Sequence, residues 1–371
     1  MTSLEVKSNS RFPELDFIRA IAVIAVIAIH VTSITLTKMP ADQFTFISSI
    51  VINQLSRFCV PAFLFVSGVL AYQSYMKNSY LQLIKGKIKD LIVPYLVWTS
   101  LGLIFFLSYS SNYKGIIMIF LTGNGPFYQL YYIPLLFQMF IFLPLIIKLA
   151  RSKKAVISLL LINILMYVGY QILVVGAVLP KDLVGSASSI LQSTFIIWMS
   201  YFCLGVYAAQ YYSKLLEFIK SKSLTIFIAI YIVSAIALIM DTLLSFGIEK
   251  QMELMGYFRL TVMIYSFASM ALIVKISMTL RNQPKYITSI YRNSFGIYLI
   301  HVAIIKVVLI VSSLLFTNLL FIVLTTLLTL IVSYWFVELI KMTPISTVFL
   351  GQKSNRKKHV PVEPLINRLD S

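Results

Sequence analysis

Long apolar stretches alternate along this chain with short polar segments. A helix of about 20 apolar residues crosses the ~30 Å hydrocarbon core of a bilayer. Ten stretches approach this length, at 15–35, 47–72, 91–109, 130–149, 155–178, 195–213, 224–244, 256–276, 294–316 and 319–340. The second is the least regular, because Arg57 and Pro61 interrupt it. The pattern predicts an all-α integral membrane protein with about ten transmembrane helices.

The composition agrees with a membrane protein and excludes a soluble one. Of the 371 residues, 59% are hydrophobic and 12% are charged, and the mean hydropathy is +0.89. A soluble domain has about 25% charged residues. The first apolar stretch is too long for a cleaved signal and lacks a small-residue cleavage pattern, so we expect it to be the first transmembrane helix. Cys59 and Cys203 lie in apolar stretches and indicate neither a disulfide nor a metal site.

The net charge of +18 is informative through its distribution. With a cytoplasmic N-terminus, alternate segments hold 23 of the 31 basic residues, whereas the extracytoplasmic loops hold only Lys38, Lys114, Lys181 and Lys250. The positive-inside rule therefore predicts that both termini are cytoplasmic. We expect anionic membrane lipids, and no nucleic acid, as partners of this charge. Residues 1–340 are predicted to form one transmembrane domain, and 341–371 a flexible basic cytoplasmic tail.

Seven of the ionisable residues inside the predicted spans are candidates for a functional site. Such groups are costly at membrane depth and indicate a functional site by default. They are Arg19, His30, Arg57, Arg259, His301, Lys306 and Glu338. Arg259 and Lys306 are expected near an interface, where a long side chain reaches water by snorkelling.

Arg19 and His30 share the first predicted helix in the stretch LDFIRAIAVIAVIAIH. Eleven residues make about three helical turns, so the two side chains share one face and lie about 16 Å apart along the axis. His30 has a structural alternative, a hydrogen bond to a neighbouring helix. Glu338, near the cytoplasmic end of the last span, is expected either to pair with Arg19 or to face water.

Several familiar sites are missing from the sequence. TGNGPF contains a lone GxG in a predicted loop with no strand before it, which argues against a dinucleotide site. The sequence has no GxSxG elbow and no HExxH motif. Three scattered histidines make a metal cluster improbable, so no metal is expected.

The first helix resembles that of the membrane-bound acyltransferase-3 family, in which an arginine and a histidine stand 11 positions apart. Four further segments resemble family motifs in the same order. They are RFCVPAFLFVSGVL at 57–70, IVPYLVW at 92–98, FGIYLIHV at 295–302 and SYWFVE at 333–338. Each motif is short, but five in order within a ten-span frame are specific.

The resemblance implies an integral membrane enzyme that moves an acyl group, usually acetyl from acetyl-CoA, onto a cell-envelope carbohydrate or a related acceptor. It implies His30 as the catalytic histidine, Arg19 as its motif partner and Glu338 as the last-helix acid. Many members carry Arg-x-x-Arg before the third-span proline, where this chain has Lys87 and Asp90. Lys85, Lys87, Lys89 and Arg19 are therefore expected to bind the CoA phosphates, with an envelope glycan or a lipid-linked sugar as acceptor.

His30 is expected to act either as a general base on an acceptor hydroxyl or as a nucleophile that carries the acyl group. Tyr131, Tyr132 and Gln138 are expected either to line the acceptor side or to belong to an interfacial aromatic belt. One alternative function is export of an envelope polysaccharide along the aromatic-rich segment 127–144. A second is a catalytically silent partner in a glycan synthase complex. For each of these functions, the protein is expected in a bacterial plasma membrane.

Overall fold

The computed structural model describes residues 12–38, 42–105, 113–175, 191–249, 256–280, 284–315 and 319–352, and these ranges contain helices but no β-strand. The predicted all-α class is confirmed. In chain order the helices are α1 (Pro13–Lys38), α2 (Gln43–Leu55), α3 (Cys59–Lys77), α4 (Tyr80–Lys87), α5 (Val93–Phe105), α6 (Tyr113–Thr122), α7 (Tyr132–Ile141), α8 (Leu143–Ala150), α9 (Lys153–Val175), α10 (Met199–Gln210), α11 (Tyr212–Ser221), α12 (Leu224–Glu249), α13 (Leu260–Thr279), α14 (Lys285–Leu315), α15 (Leu319–Lys341) and α16 (Ser346–Leu350).

Within the described ranges, eight helical stretches are long and apolar enough to cross a membrane. They coincide with eight of the ten predicted spans. The fourth predicted span is instead a bent pair, Tyr128–Ile141 and Leu143–Ala150, which meet at 67°. Pro144 lies at the bend and has no N–H to continue the helical hydrogen bonds. The sixth predicted span corresponds to the shorter apolar helix Phe195–Gln210.

Helix α1 is the central element of the bundle. It packs against α2, α3, α13, α14 and α15, and most of its apolar side chains are buried. Pro13 starts the helix, and Glu14 and Asp16 follow in the first turn, where negative charge interacts favourably with the helix dipole. By contrast, α9 and α12 bury much less of their surface, as expected for lipid-facing helices.

The irregular second span is two helices. Helix α2 ends at Leu55 and α3 begins at Cys59, with a turn between them. Arg57 lies in this turn, so the break brings a cationic side chain into the bundle at the junction of the two helices.

The third span contains a π-helical segment, Ile88–Ile92, between α4 and α5. Pro94 follows it and cannot donate a hydrogen bond to the Asp90 carbonyl. Gly351 packs directly on that carbonyl in a left-handed conformation with φ of 63°. A π-helical turn changes the register of a helix and is frequent at functional sites.

The start of the predicted tail is folded. Helix α16 packs on α5, and the Trp98 indole nitrogen donates to the Phe349 carbonyl at 2.9 Å. The side chain of Leu350 is buried. The folded part of the chain therefore extends past the predicted boundary at 340 to Gln352, and residues 353–371 lie outside the described residues.

Two glycines allow α3 and α10 to pack very closely. A Cβ added at Gly68 would lie 2.2 Å from the Phe202 carbonyl oxygen, and one added at Gly205 would lie 2.1 Å from the Phe65 carbonyl oxygen. Glycines that let two helix backbones approach this closely are common at the interfaces of membrane helices.

Arg259 does not reach water at an interface, so that expectation was wrong. Its side chain is buried and forms an ion pair with Asp241 on α12. It also donates to the Thr242 hydroxyl at 2.8 Å. The Asp241 carboxylate neutralises the guanidinium inside the protein, so the side chain does not have to extend to water at the interface. Lys306 is half-buried and donates to the Pro126 carbonyl at 3.3 Å.

Candidate active site

His30 lies on α1 among aromatic rings from other helices. Its ring stacks on that of His301 from α14, with ring centroids 5.1 Å apart. The Tyr128 ring packs edge-on against it at 5.0 Å. His301 is fully buried, and its Nδ1 is 2.7 Å from the Tyr298 carbonyl oxygen. The stack therefore orients the imidazole of His30 through ring packing.

Among the described residues, the ring nitrogens of His30 have no hydrogen-bond partner. The structural alternative for this histidine, a hydrogen bond to a neighbouring helix, is therefore not what the structure contains. The ring is half-buried and borders a cavity. Its nitrogens are thus available to exchange a proton with a bound molecule or to attack it.

The cavity beside His30 has a volume of about 350 Å³. Its wall combines tyrosine rings and hydroxyls with a few polar side chains and one guanidinium. The lining residues used below are His30, Arg57, Tyr128, Tyr131, Gln192 and Tyr257. Aromatic faces and hydroxyl groups of this kind suit a molecule that is both hydroxylated and partly apolar.

A second cavity, of about 190 Å³, lies beside Arg19. Arg19 Nη2 donates to the Ser294 hydroxyl at 3.0 Å, and Lys87 also lines this cavity. Its remaining wall is largely apolar and includes Leu136 and Phe140. The cavity thus combines two cations with an apolar surface.

The two cavities are neighbours, because Phe63, Tyr132 and Tyr298 line both of them. Tyr132 and Tyr298 pack edge-on with centroids 5.6 Å apart, and Phe63 contacts Tyr132 at 6.3 Å. Arg19 and His30 therefore open into adjacent cavities on one face of α1, as their spacing predicts. We call these shared side chains the aromatic wall.

Of the three lysines expected at a donor site, Lys87 lines the Arg19 cavity. Its ammonium lies 4.8 Å from the centre of the Phe140 ring. Lys85 and Lys89 are exposed and line neither of the two cavities. The helical register around the π-segment turns Lys87 inward and its two neighbours outward.

Glu338 does not pair with Arg19. Its carboxylate accepts a hydrogen bond from the Asn293 amide at 2.7 Å and forms an ion pair with Lys341 at 3.4 Å. Asn293 precedes Ser294, the partner of Arg19, so α14 presents adjacent side chains to the two groups. Glu338 lines neither cavity, which distinguishes it from Arg19 and His30.

The aromatic-belt alternative is wrong for Tyr131 and Tyr132, since both are buried and line the His30 cavity. Gln138 lines neither cavity and contacts the backbone of Ser193 and Phe195 instead.

The candidate site thus consists of two neighbouring cavities, one lined by two cations and the other by a half-buried histidine. A profile of an acyltransferase domain family, acyltransferase-3, matches residues 12–338. The chain belongs to this acyltransferase-3 family. It is a multi-pass membrane acyltransferase.

Two groups of relatives show how this acyltransferase compares with named proteins. The "Putative membrane-bound acyltransferase YfiQ" of Bacillus subtilis is 25% identical over 302 residues, covering 78% of this chain and 79% of the relative. A "Probable poly-beta-1,6-N-acetyl-D-glucosamine export protein" of Staphylococcus aureus is 26% identical over 231 residues, covering 60% of this chain and 63% of the relative. No solved structure matches the acyltransferase.

The sequence shows Arg57 and His301 as ionisable residues within apolar spans but assigns a role to neither. Arg57 borders the His30 cavity, and His301 stacks on His30. Both lie in segments that carry the family resemblance, RFCVPAFLFVSGVL and FGIYLIHV. Their positions within these two motifs were therefore a sequence signal that could have assigned both residues to the site. Among the described residues, no group of three or more His, Cys, Asp and Glu side chains is placed to hold a metal ion.

Proposed function

We propose that this acyltransferase takes an acyl group, most simply acetyl, from cytoplasmic acyl-CoA and transfers it to a hydroxyl of an envelope carbohydrate or a lipid-linked sugar. The observation that carries the proposal is the pair of adjacent cavities. One contains Arg19 and Lys87, the other contains His30, and the aromatic wall is common to both.

The donor is assigned to the Arg19 cavity. CoA carries phosphates, which arginine and lysine bind through charge-assisted hydrogen bonds. Under the predicted topology, Arg19 and Lys87 lie toward the cytoplasmic side, where CoA is found. An extended pantetheine arm that passes the aromatic wall would bring its thioester to His30, about 16 Å along the helix from Arg19.

The acceptor is assigned to the His30 cavity. In one route, a nitrogen of His30 takes the proton of the acceptor hydroxyl, the oxygen attacks the thioester carbonyl, and the C–S bond breaks. The proton then passes from His30 to the departing sulfur, giving an ester and free CoA. In the other route, the His30 nitrogen attacks first, CoA leaves as the thiol, and the acceptor hydroxyl then takes the acyl group from the imidazole.

Glu338 is proposed to act at a distance from the reacting atoms. Its bond to Asn293 ties α15 to α14 beside Ser294, which binds Arg19, and Lys341 of α15 also donates to Asn293. We expect it to position Arg19 through this contact.

Export of a polysaccharide is the second candidate, and the resemblance to the Staphylococcus aureus export protein favours it. Mass spectrometry of envelope glycans from His30→Ala and wild-type cells separates the two functions. An acyltransferase loses the acyl group while the polymer still reaches the surface. Loss of the surface polymer itself, with the variant present at normal level in the membrane, would support export and overturn the proposal.

A further inference from the structure

Arg57 is a cation in the His30 cavity that the transfer chemistry above does not use. It lies in the turn between α2 and α3, and it lines the same cavity as His30. The break in the second span is what introduces this side chain into the bundle.

The contacts of Arg57 are with neutral groups. Its Nη2 donates to the Asn53 side-chain oxygen at 3.0 Å, and its guanidinium carbon lies 4.9 Å from the centre of the Tyr257 ring. Asn53 is fixed in turn, because its amide nitrogen donates to Thr32 of α1 at 3.0 Å. Arg57 is therefore held in place by partners that do not neutralise its charge.

No carboxylate of a described residue lies within ion-pair distance of Arg57, and its Nε has no hydrogen-bond partner. Among the described residues, no acidic side chain lines this cavity. Arg259 differs, since Asp241 neutralises it. A cation at membrane depth is costly unless an opposite charge meets it, so the missing charge is expected from a bound molecule.

We propose that Arg57 binds an anionic group of the acceptor, a phosphate or a carboxylate, next to the hydroxyl that receives the acyl group. This rests on the proposed function, because it assigns the acceptor to the His30 cavity. The planar guanidinium binds both kinds of oxyanion in the same geometry. The acceptor class is therefore an acidic or phosphorylated sugar rather than a neutral one.

The test uses purified full-length protein in lipid nanodiscs, titrated with glucose 1-phosphate, glucuronate and neutral glucose. The shift of the thermal unfolding midpoint with concentration gives the apparent affinity. Wild type, Arg57→Gln and Arg57→Lys are compared. Lys85→Gln is the matched control, because it removes an exposed cation that lines neither of the two cavities.

We expect the wild type and Lys85→Gln to bind at least one charged sugar more tightly than glucose. Arg57→Gln should weaken that binding by about tenfold or more, and Arg57→Lys by less, since the charge remains but the planar fork is lost. Preference for glucose 1-phosphate indicates a lipid-linked sugar phosphate as the source of the anion. Preference for glucuronate indicates an acidic glycan.

Charged-sugar binding that is absent in the wild type, or equal in the wild type and Arg57→Gln, would overturn the proposal. So would a loss of acyl transfer in Arg57→Lys with charged-sugar affinity unchanged, because Arg57 would then act on the reacting carbonyl. The binding assay does not depend on catalysis. Failure of the proposed function would appear separately, as unchanged envelope acylation in His30→Ala cells.

Discussion

Lys85 and Lys87 offer a matched pair of substitutions for locating the donor. Both lie on α4, but Lys87 lines the Arg19 cavity whereas Lys85 is exposed on the surface. A hydrogen bond from a partly buried ammonium to a phosphate contributes about 1.5–3 kcal/mol. Lys87→Gln is therefore expected to raise the KM for acetyl-CoA by roughly 10- to 150-fold. An exposed ion pair contributes about 0–1 kcal/mol, so Lys85→Gln should raise it less than about fivefold.

The assay follows thiol release from the donor in nanodiscs supplied with acceptor-containing membrane extract. Acetyl-CoA is compared with acetyl-pantetheine, which carries no phosphate. The effect of Lys87→Gln should disappear with acetyl-pantetheine, because the charge then has no phosphate to bind. Equal effects of the two substitutions, or a Lys87→Gln effect that persists with acetyl-pantetheine, would refute the placement of the donor phosphates beside Lys87.

Three further predictions concern the packing of the helices and of the site. Gly205→Ala should lower the free energy of unfolding by about 1–3 kcal/mol, because the new Cβ meets the Phe65 backbone. Gly169→Ala is the control and should not destabilise the protein, because a Cβ there meets nothing within 4 Å. Equal stabilities of the two variants in detergent melts would contradict this. Phe63→Ala opens the aromatic wall and should increase acceptor-independent hydrolysis of acetyl-CoA, so unchanged hydrolysis would count against a barrier there. His301→Phe keeps a ring against His30 and should retain kcat within about threefold, whereas His301→Ala should lower kcat roughly tenfold. If the Phe variant were as impaired as the Ala variant, stacking on His30 would not be the role of His301.

Periodicity and length predicted the helices but not how they end. The ten apolar stretches all contain helix, because burial of the backbone in lipid leaves few alternatives. At the bend beside Pro144, α7 and α8 meet at 67°, which the length of the apolar stretch does not indicate. The fourth apolar stretch is long enough for one straight span, but the structure has a bent pair of helices there.

The face shared by Arg19 and His30 followed from helical geometry alone, and the adjacent cavities agree with it. Partners across helices did not follow. Arg19 binds Ser294 and Glu338 binds Asn293, because the rotation of α14 decides which side chains meet. The ion pair of Arg259 with Asp241 was missed for the same reason.

His30 is proposed to carry out the acyl transfer itself. The most direct measurement is transfer of radiolabelled acetyl from acetyl-CoA to acceptor-containing membrane extract by purified wild type and His30→Ala, both shown to be folded by their melting curves. The variant is expected to transfer label about 10²- to 10⁴-fold more slowly, the range for loss of a general acid or base, while still binding acetyl-CoA. Label transfer by folded His30→Ala at the wild-type rate would contradict it.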